Sequence, residues 1–221
     1  MLILLTDAYP NRYMQAPFVI IAICALNLIS WLFVFLLPDS PFVQTVTELL
    51  NRGDLLAAVL DMLVPEELFF LLINMMGLWA FGRRLEDVCG HGRFLAFFLA
   101  CGLVANLISQ TYFGSEWRLG ISGAVFGLIG AYLLVFPKGR LNMYVWVRSR
   151  ILFFRIRYEK EFIFSVWWLA IPMLMIQGFL AAVASAGFYM AHFGALIAGA
   201  LIILMFLRPD AFARVRHRVP V

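Results

Sequence analysis

Six apolar stretches follow one another between Phe18 and Leu207, and no other feature restricts the fold of this chain as strongly. They are Phe18–Leu37, Leu68–Phe81, Phe94–Phe113, Ser122–Phe136, Phe162–Phe179 and Ala186–Leu207. A helix crossing a ~30 Å hydrocarbon core needs about 20 mostly apolar residues. The first, third and sixth stretches meet this; the second is shorter and interrupted by Asn74, and the fourth is also short. The runs are continuous and lack the ten-residue alternation of a membrane barrel, so helices are expected. Of 221 residues, 64% are hydrophobic and 14% charged, against about 45–50% and 25% in a soluble domain. That excess of apolar surface excludes a soluble enzyme, a disordered chain and a nucleic-acid-binding module. The expected fold is an all-α membrane bundle of six spans. It forms one domain over residues 1–221: an N-terminal segment 1–17, the spans within 18–207, and a basic tail 208–221. No Gly/Ser- or Pro-rich linker divides it.

With the spans alternating across the bilayer, all 17 Lys and Arg fall on one side except Arg52 and Arg118. Cationic loops stay cytoplasmic, so both termini are expected inside, and the formal charge of +4 reads as a topology signal. The loop after the fourth stretch carries Leu141–Val147 and Ile151–Tyr158, both rich in β-branched and aromatic residues, joined by Arg148-Ser149-Arg150. They read as a hairpin on the inner membrane face, its arginines toward anionic headgroups. Met1–Gln15 has no basic region before its apolar start and no small-residue cleavage site, so it is not read as a signal peptide. Cys24, Cys89 and Cys101 make neither a disulfide framework nor a CxxC metal site.

Ionisable residues within spans are costly and usually functional. The spans hold one histidine, His192, near the outer end of the sixth, and carboxylates only at their edges. A lone histidine cannot assemble a zinc site, and aspartyl chemistry lacks its pair. No metal and no cofactor are expected. A serine with a histidine remains. Gly120-Ile121-Ser122-Gly123 opens the fourth stretch. A helix over Ser122–Phe136 is ~22 Å long, so an inner end at the inner boundary leaves Ser122 below the outer surface. Backbone N–H groups and the positive dipole end at such a helix start stabilise a developing oxyanion. Serine is a weak nucleophile without a base. His192 lies 70 residues further on, at the same outer depth. Gly123-xxx-Gly127 and Ala195-xxx-Gly199 fit the small-xxx-small pattern that lets membrane helices approach closely. Asn74, also buried in a span, has an amide able to donate to an oxyanion. Each residue also has a plainer reading. Membrane serines commonly bond their own backbone, lone membrane histidines and asparagines join helices, and small-xxx-small patterns mean packing alone.

Together these residues resemble the rhomboid intramembrane serine proteases over nearly the whole chain. Gly120-Ile121-Ser122-Gly123-Ala124-Val125-Phe126-Gly127 is similar to the family's GxSGxxFG signature. Residues Ala191 to Gly199 resemble its AHxxGxxxG segment, with Ala195 for the first glycine. Asn74-Met75 followed by Gly82-Arg83-Arg84-Leu85-Glu86 resembles its NM…GxxxE stretch. The resemblance implies Ser122 as nucleophile and His192 as general base. Asn74 and the N–H groups of Ile121 and Ser122 would form the oxyanion hole, with close backbone approach at Gly120, Gly123, Gly127, Ala195 and Gly199. It implies a membrane-protein substrate cut in or beside its transmembrane segment, no cofactor, and a site on the non-cytoplasmic side of what reads as a bacterial inner membrane. Two departures stand out. Where the family carries histidines four and nine residues before the asparagine, this chain has Phe70 and Pro65, and the family's Trp-Arg pair is not evident in Pro38–Val64. Losing one oxyanion donor costs about 10²–10³ in rate, so a slower enzyme is expected. The alternative is a rhomboid-like protein that binds partner helices without cutting them. A transporter would need a polar path or inverted repeats, and neither is visible. The small residues within Leu180–Gly187 read equally as a mobile cap or a short connector.

Overall fold

A segment that is apolar on every side goes to the interior or to lipid, and this chain does both. The structure is a computed structural model that describes residues 2–8, 16–64, 67–113, 119–151, 154–183 and 186–208. Expectations at Arg12, Pro65, Glu66, Arg118, Ala184, Ser185 and the tail beyond Arg208 lie outside these residues. In chain order the elements are β1 (Leu2–Asp7), α1 (Phe18–Leu36), α2 (Pro41–Leu50), α3 (Leu55–Asp61), α4 (Leu68–Gly77), a π-helical turn (Leu78–Gly82) and α5 (Arg83–Cys89). Then come α6 (His91–Phe113), α7 (Gly120–Val135), β2 (Arg140–Ile151), β3 (Phe154–Ser165), α8 (Trp167–Val183) and α9 (Ala186–Phe206).

The expected all-α bundle of six spans is corrected. Four helices among the described residues are long and apolar enough to cross a membrane. They cover Phe18–Leu36, Leu68–Cys89, His91–Thr111 and Tyr189–Phe206, and make this a multi-pass membrane protein. The second stretch does not stop at Phe81. Helix continues through the π turn and α5 to Cys89, giving 22 residues. The other two apolar helices, α7 and α8, have only 16 and 17 residues. α7 starts where Gly120 takes a positive φ of 55° and stops before Pro137. α8 is short because Phe162–Ser165, expected as its first turn, belongs to β3.

The sheet is the second departure from an all-α chain. β1, β2 and β3 form one antiparallel sheet in that order. The expected hairpin exists, but its strands pair out to Ile151↔Phe154, so the reversal falls beyond Arg148-Ser149-Arg150. The N-terminal strand was not foreseen; Leu5 pairs with Met143. Leu5, Leu141 and Val166 fasten the sheet to the core beneath α7. The bonds Ala8 N–H to Arg140 O (3.0 Å) and Val166 N–H to Gly139 O (3.0 Å) close its base.

α7 is the buried axis, packed chiefly against α6 and α9. α8 buries little of itself, with Trp168 77% exposed, a surface suited to lipid rather than water. The start of α1 is capped from elsewhere in the chain. Pro17 supplies no side-chain cap, and the carboxylate of Glu86 accepts from Val19 N–H (2.9 Å) and Ile20 N–H (3.1 Å). His91 Nδ1 lies 2.6 Å from the same carboxylate. Glu86 is 0% exposed, and hydrogen bonds to charged groups are worth about 1.5–3 kcal/mol each. Glu86→Ala is therefore expected to lower stability by roughly 3 kcal/mol, read as a fall in the thermal unfolding midpoint in detergent.

Candidate active site

Two of the residues singled out by sequence, Ser122 and His192, meet where α7 begins. Gly120 turns the chain into the helix, which sets Ser122 in its first turn, half-buried. The Ser122 hydroxyl lies 2.5 Å from Leu119 O and 3.1 Å from His192 Nε2. It has one proton and two neighbouring acceptors, so the tautomer of His192 decides the pattern. With Nε2 unprotonated, the hydroxyl can donate to the imidazole; with Nε2 protonated, the ring donates to Oγ and the hydroxyl to Leu119 O.

His192 is 3% exposed, near the N-terminal end of α9. Its ring lies against Phe126, with centroids 4.4 Å apart and planes tilted by 40°. Phe126 follows Ser122 by four residues, so both lie on one face of α7. The serine therefore meets the edge of an imidazole whose face is held by the next turn.

Glycines bring α7 and α9 this close. A Cβ on Gly199 would overlap the backbone of Gly127, and one on Gly130 would overlap the carbonyl of Leu196. A Cβ on Gly127 would stand 2.7 Å from Cys101 Cβ on α6 and 3.5 Å from Ala195 O. Gly123 serves a different contact from the one its spacing suggests. Its missing Cβ makes room for Ala105 on α6, at 2.5 Å, rather than for α9.

Asn74 is 9% exposed on α4. α4 and α7 run in the same direction, because their contacts advance together. The missing Cβ of Gly77 faces Val125, at 2.8 Å, and the Phe81 ring meets Tyr132 at 5.3 Å between centroids. Asn74 stands three residues before Gly77 on α4, as Ser122 stands three before Val125 on α7. An α-helix leaves the N–H groups of its first turn without acceptors in the helix, and Ile121 and Ser122 lie in that turn of α7. Phe70, one turn before Asn74, is 59% exposed and packs edge-on against Phe69, with centroids 5.8 Å apart. It offers no hydrogen-bond donor.

Two polar residues at this helix start escaped the sequence reading. Asp61 Oδ2 accepts from Gly120 N–H at 2.6 Å, and Asn106 Oδ1 accepts from Leu119 N–H at 3.3 Å. Asp61 is the one charge in the apolar run Leu55–Val64, which is the signal that could have singled it out.

The model of the Rhomboid domain matches residues 52–209, more than two thirds of the chain. The chain belongs to the rhomboid family. This rhomboid is 32% identical to YdcA of Bacillus subtilis (strain 168) over 124 residues, 53% of the chain and 62% of YdcA. It is 39% identical to the rhomboid protease GluP of the same organism over 70 residues, 32% of the chain and 14% of GluP. It is 29% identical over 89 residues to Rhomboid protein 1, mitochondrial, of Saccharomyces cerevisiae, 37% of the chain and 25% of that protein. The chain thus spans less than two thirds of each of these relatives. Ser122, Phe126 and His192 all fall within the rhomboid domain.

Proposed function

We propose that this rhomboid is an intramembrane serine endopeptidase that cleaves membrane proteins in or beside a transmembrane segment. The observation that carries the reading is the 3.1 Å separation of Ser122 Oγ and His192 Nε2, from residues 70 apart in sequence. An unprotonated Nε2 takes the hydroxyl proton as Oγ attacks the scissile carbonyl, and the same nitrogen returns it to the leaving amine. Water then attacks the acyl-enzyme, with His192 again as base, and releases the second product. Negative charge developing on the carbonyl oxygen is met by the N–H groups of Ile121 and Ser122 and by the Asn74 amide. The reaction needs no cofactor. The site is taken to open on the outer, non-cytoplasmic side of a bacterial plasma membrane, away from the basic residues. The presence of proteases among the named relatives supports the same reading.

Labelling by a fluorophosphonate tests it. The detergent-solubilised protein is expected to react, and an intact, folded protein that stays unlabelled overturns the reading. Asn74→Ala is expected to lower kcat by about 10²–10³ with little change in KM, as for the loss of one oxyanion donor. Steady-state cleavage of a reporter membrane protein measures this.

Phe70 favours a second reading. A phenylalanine where the family carries a donor leaves a weaker oxyanion site, and a rhomboid without activity would still bind partner helices. Co-purification of one membrane partner with wild type and Ser122→Ala alike, without fragments, would select that reading.

A further inference from the structure

Ser122 is placed by the turn before it, and that turn is held by residues on α3 and α6. We infer that Asp61 and Asn106 are positioning residues for Ser122; the inference rests on the peptidase reading above. Two successive N–H groups at the start of α7 are engaged by side chains from different elements. Asp61 on α3 takes Gly120 N–H at 2.6 Å, and Asn106 on α6 takes Leu119 N–H at 3.3 Å. The same Asn106 donates through Nδ2 to Ala58 O on α3 at 3.3 Å, so one amide links α3, α6 and the turn. Leu119, whose N–H is held in this way, also presents its carbonyl to the Ser122 hydroxyl at 2.5 Å. A continuous path therefore runs from Asn106 through Leu119 to Ser122 Oγ and on to His192.

α3 is itself well anchored. Asp54 caps it by accepting from Ala57 N–H at 2.8 Å. The buried Met62 fills the space that the absent side chain of Gly102 leaves on α6. Asp61 is 6% exposed, and burying a carboxylate is costly unless strong hydrogen bonds compensate. An anion at a helix N-terminus is favourable on its own account. Asp61 thereby does for α7 what Glu86 does for α1. Its charge would nevertheless oppose a negative oxygen developing in the same turn. Its contribution to catalysis is thus geometric, the placement of Oγ and of the first-turn N–H groups. Asparagine at this position keeps an acceptor of the same shape without the charge, whereas alanine removes both.

The experiment uses the full chain in detergent, comparing wild type, D61A, D61N and N106A. The readouts are fluorophosphonate labelling rates, kcat and KM for a reporter membrane protein, and hydrogen exchange over residues 119–122. A misplacement of ~1 Å costs about 10²-fold. D61A and N106A are therefore expected to lose roughly 10- to 100-fold in kcat with KM little changed, together with faster exchange in the turn. D61N is expected to recover most of the rate. If D61A does not fold, N106A and D61N decide. Wild-type kcat in a folded D61A and in N106A would overturn the inference. So would losses confined to KM, or a folded D61N as impaired as D61A. Failure of wild type itself to label or cleave would instead remove the peptidase reading.

Discussion

Ser122→Ala is expected to abolish both fluorophosphonate labelling and cleavage of a reporter membrane protein, with kcat falling by roughly 10⁴-fold or more. The substitution removes the one atom that would form the acyl bond. The hydroxyl donates at most one hydrogen bond, to His192 Nε2 or to Leu119 O, so stability should fall by only about 1 kcal/mol. A near-complete loss of activity in a protein that unfolds at almost the wild-type temperature separates chemistry from structure. His192→Ala should fall as far in activity. It should lose more stability, since it also empties the space beside Phe126. Members of one catalytic unit are non-additive, so the double variant is expected to be no worse than either single one. Undiminished cleavage by Ser122→Ala would mean that another nucleophile does the work.

Gly199→Ala should damage stability and activity together. The new methyl would meet the backbone of Gly127, which cannot move aside as a flexible side chain would. Either α7 and α9 separate or their register shifts. Overpacking of this kind costs about 1–3 kcal/mol. The same displacement lengthens the 3.1 Å contact between Ser122 and His192, and ~1 Å there is worth about 10²-fold in rate. Gly130→Ala should behave alike, because its methyl would meet the Leu196 carbonyl. Gly92 on α6 is the control, with nothing within 4 Å of its added Cβ. Gly92→Ala should leave cleavage unchanged and hold or slightly raise the unfolding temperature. Equal behaviour of all three variants would contradict glycine-controlled helix approach.

The comparison of sequence with structure turns on range. The pairing of Ser122 with His192 was legible because polar groups in apolar helices are rare. The close approach of α7 and α9 that lets these two meet follows from small residues visible in the sequence. The length of the second span was not legible. Gly82-Arg83-Arg84 looks like a membrane boundary, yet helix continues through it to Cys89. The cation of Arg84 rests over the Phe136 ring at 3.9 Å, a tertiary contact that apolarity alone does not announce. Phe162–Ser165 was ambiguous for another reason. A short apolar run satisfies strand and helix alike, and pairing with β2 decided it. The caps of the outer helices, Ser40 before Pro41 and Asp54 before Leu55, could have been read locally. The bond from Asp61 to Gly120 could not, because it joins residues 59 apart and no local periodicity encodes it.

The pairing of β1 with β2 has a consequence for biosynthesis. β1 is made well before β2, and every helix from α1 to α7 lies between them in the chain. At about 5–20 residues per second, the first strand waits on the order of ten seconds for its neighbour. During that interval its backbone N–H and C=O groups need water or a chaperone. The sheet is thus a late closure that joins a strand made before α1 to a hairpin completed only after the serine-bearing helix has been synthesised.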